Sequence, residues 1–151
     1  MSGNPEDELI RIFPMLRCSH FKVSSPYDPI YNCVAYVMGD TENWWEPDSM
    51  GTCYWPQGLP RGDYSPKAYS VLFETFGYKT DSSDQLEKGH NKIVIFEKNG
   101  IFKHVALQLE SGLWTSKIGE YEDIIHTLEG LVGDFYGQVK IVLKKQSIKI
   151  K

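Results

Sequence analysis

No stretch of this sequence approaches the ~18 consecutive apolar residues that a membrane-spanning helix needs. The start from Met1 to Asp7 is polar and acidic, without the charged-then-apolar order of a secretory signal. These absences predict a cytoplasmic protein with no membrane partner, although an effector exported by a signal-free route would read the same way. Cysteine is scarce and odd in number: Cys18, Cys33 and Cys53 are the only three. That excludes a disulfide framework and predicts free thiols. Cys18 and His20 have no second paired motif to complete a tetrahedral set, so no metal is expected. No glycine-rich phosphate loop is present, and Asp40, Glu42 and Glu46 form no calcium pattern, so no cofactor is expected. Basic residues are outnumbered, giving a net charge of −4, and the nearest thing to a basic patch is the tail Lys144, Lys145, Lys149 and Lys151. A nucleic-acid partner is therefore not expected.

What remains is an ordinary globular composition, 41% apolar and 24% charged over 151 residues. It predicts a single domain, 1–151, able to bury roughly two-thirds of its unfolded surface. Asn4 followed by Pro5, Glu6 and Asp7 is a helix start that should run to just before Pro14. Asn32 is a capping residue ahead of the apolar run Cys33 to Met38, and Gly39 is a natural stop. Cys33 should thus open a short, buried helix. Residues 40–64, rich in Trp, Pro, Gly and acids, predict a long ordered loop packed down by Trp44, Trp45, Tyr54 and Trp55. Ser65-Pro66 begins a third helix with Ala68, Leu72 and Phe76 on one stripe, ending at Gly77.

The second half changes period. After a polar connector over 80–91, residues 92–97 and 101–109 predict a hairpin turned at Asn99-Gly100. In the second strand Val105, Leu107 and Leu109 share one face, and His104, Ala106 and Gln108 the other. Glu110-Ser111-Gly112 turns into a strand over 113–118. The spacing of Ile124, Ile125, Leu128 and Leu131 predicts a helix over 121–131, followed by a strand over 137–144. Helices first and strands later predict an α+β fold, with N-terminal helices packed on an antiparallel, hairpin-built sheet.

Three residues stand out chemically. A thiol at a helix start faces unpaired N–H groups and the positive end of the dipole, which favour thiolate. Cys33 is therefore the candidate nucleophile. His104, heading an apolar strand, is the candidate base that takes the thiol proton and returns it to the leaving group. Ser116 shares the parity of Trp114 and falls on the face of His104, where it would orient the imidazole; Gln108 and His126 are the alternatives for that third place. Lys117 should point to the opposite face. Asn32 and Tyr31 beside the cysteine, and Trp45 and Trp55 in the loop, are candidates for an oxyanion site or a substrate cleft.

A cysteine opening a buried helix, followed by His104-Val105-Ala106-Leu107-Gln108-Leu109-Glu110-Ser111-Gly112, resembles the NlpC-like branch of the papain-fold cysteine hydrolases. That branch sets a polar third residue about a dozen positions after the histidine, and Ser116 stands twelve after His104. Asn32-Cys33-Val34-Ala35 replaces the branch's Asp-Cys-Ser-Gly, and Ser116 stands where it carries His, Asn or Gln. Tyr31-Asn32-Cys33, Trp44-Trp45 and Trp114-Thr115-Ser116-Lys117 with Gly119 are also similar to an uncharacterised bacterial domain family. The resemblance implies a papain-like cysteine peptidase or amidase. Its substrate would be a peptide, isopeptide or glutamine side chain, its nucleophile Cys33, its base His104 and its orienter position 116. The competing expectation is a non-catalytic module that grips a protein partner with the aromatic, acidic segment 40–64.

Overall fold

The computed structural model describes residues 4–147. Helix α1 (Pro5–Ile12) starts as its sequence predicts: the Asn4 side chain accepts from the Asp7 N–H at 2.8 Å and Pro5 opens the first turn. A 3-10 turn (Pro14–Cys18) follows, then a two-residue strand β1 (Lys22–Val23). Helix α2 is Cys33–Val37 and α3 is Pro66–Thr75, the latter capped by the Ser65 hydroxyl on the Ala68 N–H. Strands β2 (Lys79–Asp81), β3 (His90–Lys98), β4 (Ile101–Gln108), β5 (Trp114–Lys117) and β6 (Asp123–His126) lead to the one-turn helix α4 (Leu128–Leu131) and to β7 (Gln138–Gln146).

The seven strands form one open antiparallel sheet in the order β1-β6-β5-β4-β3-β7-β2. The β3–β4 hairpin turns at Asn99 and Gly100, whose φ values of 54° and 79° are what a tight primed turn demands. Alternation along the strands divides the core in two. Ile93, Ile95, Val105 and Leu143 pack with α2, α3 and Trp55 on one face. Val94, Phe96, Ala106, Trp114 and Ile124 pack with α1, the 3-10 turn and Leu131 of α4 on the other. The fold is α+β, with helices on both faces of the sheet.

Two expectations are overturned. The helix over 121–131 is instead the edge-side strand β6 and the short α4, divided at Thr127, whose hydroxyl accepts from the Gly130 N–H at 3.2 Å. The apparent helical period arose from two β-branched residues of a strand placed next to one turn of helix. Strand pairing wins because β5 would otherwise expose an unpaired ladder, and Ile124–Ile125 suits a half-buried strand. The connector over 80–91 likewise contributes most of β2, an edge strand tied down by the Asp81–Lys92 ion pair at 2.9 Å. No helix among the described residues is long and apolar enough to cross a membrane.

Candidate functional site

Cys33 is the first residue of α2, as predicted, and is 7% exposed. Asn32 fixes that start. Its Oδ1 accepts from the Ala35 and Trp45 N–H groups, both at 3.2 Å, and its Nδ2 donates to the Trp45 carbonyl at 2.7 Å. The same side chain therefore caps the helix and clips the 40–64 loop to it. One of the two Nδ2 protons is spent on the Trp45 carbonyl, which leaves the other without a side-chain or backbone partner.

The sulfur lies against strand β4. Burial pushes the Cys33 thiol up to about 11, while N–H groups of Val105, Val34 and Cys33 itself pull the other way. At neutral pH the resting group is a thiol. It lines a cavity of about 360 Å³ together with Asn32, Trp45, Tyr69, Phe102 and Tyr136. Tyr69 and Phe102 are stacked, centroids 3.6 Å apart and 4° from parallel. Of the four predicted cleft residues, Asn32 and Trp45 reach this cavity, whereas Tyr31 and Trp55 do not. Trp55 packs edge-on against Tyr69 at 5.3 Å, and the Tyr31 hydroxyl donates to Asp123 Oδ2 at 2.9 Å.

His104 falls on the other core. A bulge leaves Lys103 unpaired, so Phe102 opposes Glu97 while His104 opposes Phe96. Phe102 thus turns toward the cysteine side, and the His104 ring stacks on Tyr136 at 4.2 Å and 11°. Both ring nitrogens are buried without a hydrogen-bond partner, so no such bond joins His104 to Cys33. Burial, with a smaller push from His126, holds the imidazole well below its ordinary pKa and therefore neutral.

Ser116 does share the face of His104, but its partner differs from the one predicted. Its hydroxyl is 2.7 Å from His126 Nε2, and the other nitrogen, Nδ1, donates to the Thr127 carbonyl at 2.8 Å. With Nδ1 carrying the proton, Nε2 accepts from Ser116. Burial brings His126 down to about 4. Gln108 Nε2 donates to the Asp84 carbonyl at 3.0 Å and lines a separate hollow of about 560 Å³ beside residues 86–91. The orienter of His104 expected from spacing is therefore absent in this arrangement.

One group facing Cys33 was not singled out for a role. Lys117, fully buried on β5, reaches Cys33's side of the sheet, as its parity predicted. Its ammonium donates to the carbonyls of Asp28 (2.5 Å), Tyr31 (2.9 Å) and Gly119 (2.7 Å) and lies 4.6 Å from the Tyr31 ring centroid. The sequence carried one signal for this, a lysine at a core-facing strand position.

These features define an α+β domain with an open seven-stranded sheet and a helix-initial cysteine on the wall of an aromatic cavity. The family of Domain of unknown function DUF7689 matches residues 22–144, most of the chain and all of this site, and the chain belongs to that family. No curated protein and no solved structure matches it.

Proposed function

We propose that this domain is a cysteine hydrolase of the papain-like class, cleaving an amide of a peptide or protein through a thioester on Cys33. The observation that carries the reading is the setting of the sulfur: first residue of a capped helix, on a cavity wall, with three backbone N–H groups directed at it. Those donors favour the thiolate against the burial that opposes it. The thiolate attacks the amide carbonyl carbon, an S–C bond forms, and the C–N bond breaks as the amine leaves with a proton. Water then hydrolyses the thioester and frees the thiol. His104 is the base in this reading. It lies one residue before Val105, and the reading requires its ring to leave Tyr136 and turn to the cysteine's side of the sheet.

A second reading, a binding pocket without chemistry, draws support from the resting state itself, in which the thiol is protonated and His104 is stacked rather than hydrogen-bonded. Here Trp44, Trp45 and Tyr64 grip a partner, with Glu46 held by Trp44 and Tyr64. A panel of peptidyl vinyl sulfones, with adducts mapped by mass spectrometry, separates the two. The hydrolase reading expects an adduct on Cys33 that is at least about tenfold slower to form in His104→Ala. Adducts confined to Cys18 and Cys53, or a His104→Ala rate equal to wild type, would leave the binding reading standing.

A further inference from the structure

We propose that Lys117 is the positioning residue of the Cys33 site, a buried cation that both ties down the segment leading into α2 and supplies the positive field the thiolate needs. The inference rests on the hydrolase reading above and adds a group to it.

The geometry is unusual for a lysine. Its ammonium spends all three protons on main-chain carbonyls, two of them in the Asp28–Tyr31 segment and one at Gly119. Tyr31 is two residues before Cys33, so the cation fixes the approach of the chain to the nucleophile. Gly119 lines the same cavity as Cys33, so the third bond shapes the cavity wall. A hydrophobic residue or a water could not hold three carbonyls in this way, and each left unmade would bury an unpaired acceptor.

The charge environment supports a second, electrostatic task. Across the ladder Lys117 stands opposite Asp123, whose Oδ2 accepts from Tyr31 and whose Oδ1 has no hydrogen-bond partner. Asp28 and Glu120 also favour the charged lysine against its burial. The groups acting on Cys33 from the surrounding elements are Lys117 on β5, Tyr69 on α3 and Tyr136 before β7, together with the Val105 N–H on β4. Among the three side chains only the lysine carries charge at neutral pH, both tyrosines being pushed further up by burial. Its field lowers the cysteine's proton affinity.

A purely structural staple and an electrostatic one differ in sign. Loosening the staple would admit water to the thiol, relieve its burial and speed alkylation. Removing the charge would slow it. The test is the rate of iodoacetamide labelling of Cys33 at pH 8, mapped by mass spectrometry, in the intact protein with folding checked by circular dichroism. Lys117→Met is expected to slow Cys33 about threefold to tenfold, Lys117→Arg to stay near wild type, and Asp123→Asn, which leaves the cation uncompensated, to speed it by a similar factor. Should Lys117→Met fail to fold, the Asp123→Asn rate decides: acceleration supports the proposal, and a rate equal to wild type overturns it. Faster labelling in a folded Lys117→Met, or equal labelling there together with an unchanged rate in Asp123→Asn, overturns it while leaving Cys33 as a reactive group. A Cys33 that stays unlabelled in wild type and in Asp123→Asn overturns the hydrolase reading and this proposal together.

Discussion

On the face covered by α2 and α3, one charged pair is buried among neutral polar groups: Lys117 opposite Asp123, with the Tyr31 hydroxyl on the carboxylate and the Tyr36 hydroxyl donating to Thr115 Oγ1 at 2.8 Å. On the face covered by α1 and α4 both buried histidines are neutral, His126 bonded to Ser116 and His104 stacked on Tyr136 with its nitrogens idle, while the buried cation there, Lys92, is paired with Asp81 at the far edge of the sheet. Ser116 and Lys117 are consecutive, so a single step along β5 divides the two arrangements. The difference teaches where chemistry can be expected. A buried cation beside a thiol biases it toward thiolate, whereas burial alone makes an imidazole a poorer acceptor of a proton.

The largest expected effect concerns how the charged face is held. Phe73 is fully buried in the cluster that contains Cys33, and Phe73→Ala should cost about 3–5 kcal/mol in urea unfolding. Cys33→Ala removes one sulfur from a cavity wall and should cost about 1 kcal/mol or less. Equal losses from the two substitutions would make Cys33 a packing residue of that face.

The two buried histidines can be read by acid. His126 is held at about 4 and His104 well below its ordinary value, both chiefly by burial. For each, the unfolded chain takes up a proton near pH 6.5 that the folded chain refuses. The stability is therefore whole above about pH 6.5 and is lost as the pH falls toward the folded value. His126 should contribute a loss of about 2 kcal/mol between pH 7 and pH 5, a window mostly above carboxylate titration, and His104 a further loss of the same sign. Urea melts across that window should show a larger loss in wild type than in His126→Gln, by about 2 kcal/mol. A flat profile in wild type would mean that neither imidazole is neutral and dry.

The local signals that the sequence carried were read correctly where they act through neighbours in the chain. Asn4 and Asn32 as caps, Pro66 at a helix start and Asn99-Gly100 as a hairpin all appear in place, because each is decided within about four residues. Edge strands β1 and β2 were illegible, since Lys22 and Thr80 become strand only when β6 and β7 are there to pair with them. The same limit hid half of the site. Read as part of a helix, His126 falls on the surface; as the last residue of β6 it faces Trp114 across the ladder and is fully buried. Its bond to Ser116 therefore could not be found without knowing β6. Lys117's partners at Asp28 and Tyr31 lie 86 or more residues away, beyond any spacing argument.

The smallest effect belongs to Ser116, and it separates the two faces most finely. Spacing alone gave this serine the task of orienting His104, with a threefold to tenfold loss of kcat/KM expected when it becomes alanine. Its hydroxyl instead bonds His126 Nε2 at 2.7 Å, on the face away from the cysteine. Removing it leaves a buried imidazole acceptor without its donor, so Ser116→Ala should lower stability by about 1 kcal/mol and alter the acid sensitivity of His126. The rate of Cys33 modification by a peptidyl vinyl sulfone should stay within about twofold of wild type, less than the ~1.4 kcal/mol that a tenfold change would require. Stopped-flow labelling and urea melts on the same preparation would read both quantities. A rate that falls tenfold while stability is unchanged would restore Ser116 to the catalytic group and show that the His104 ring leaves Tyr136 to meet it.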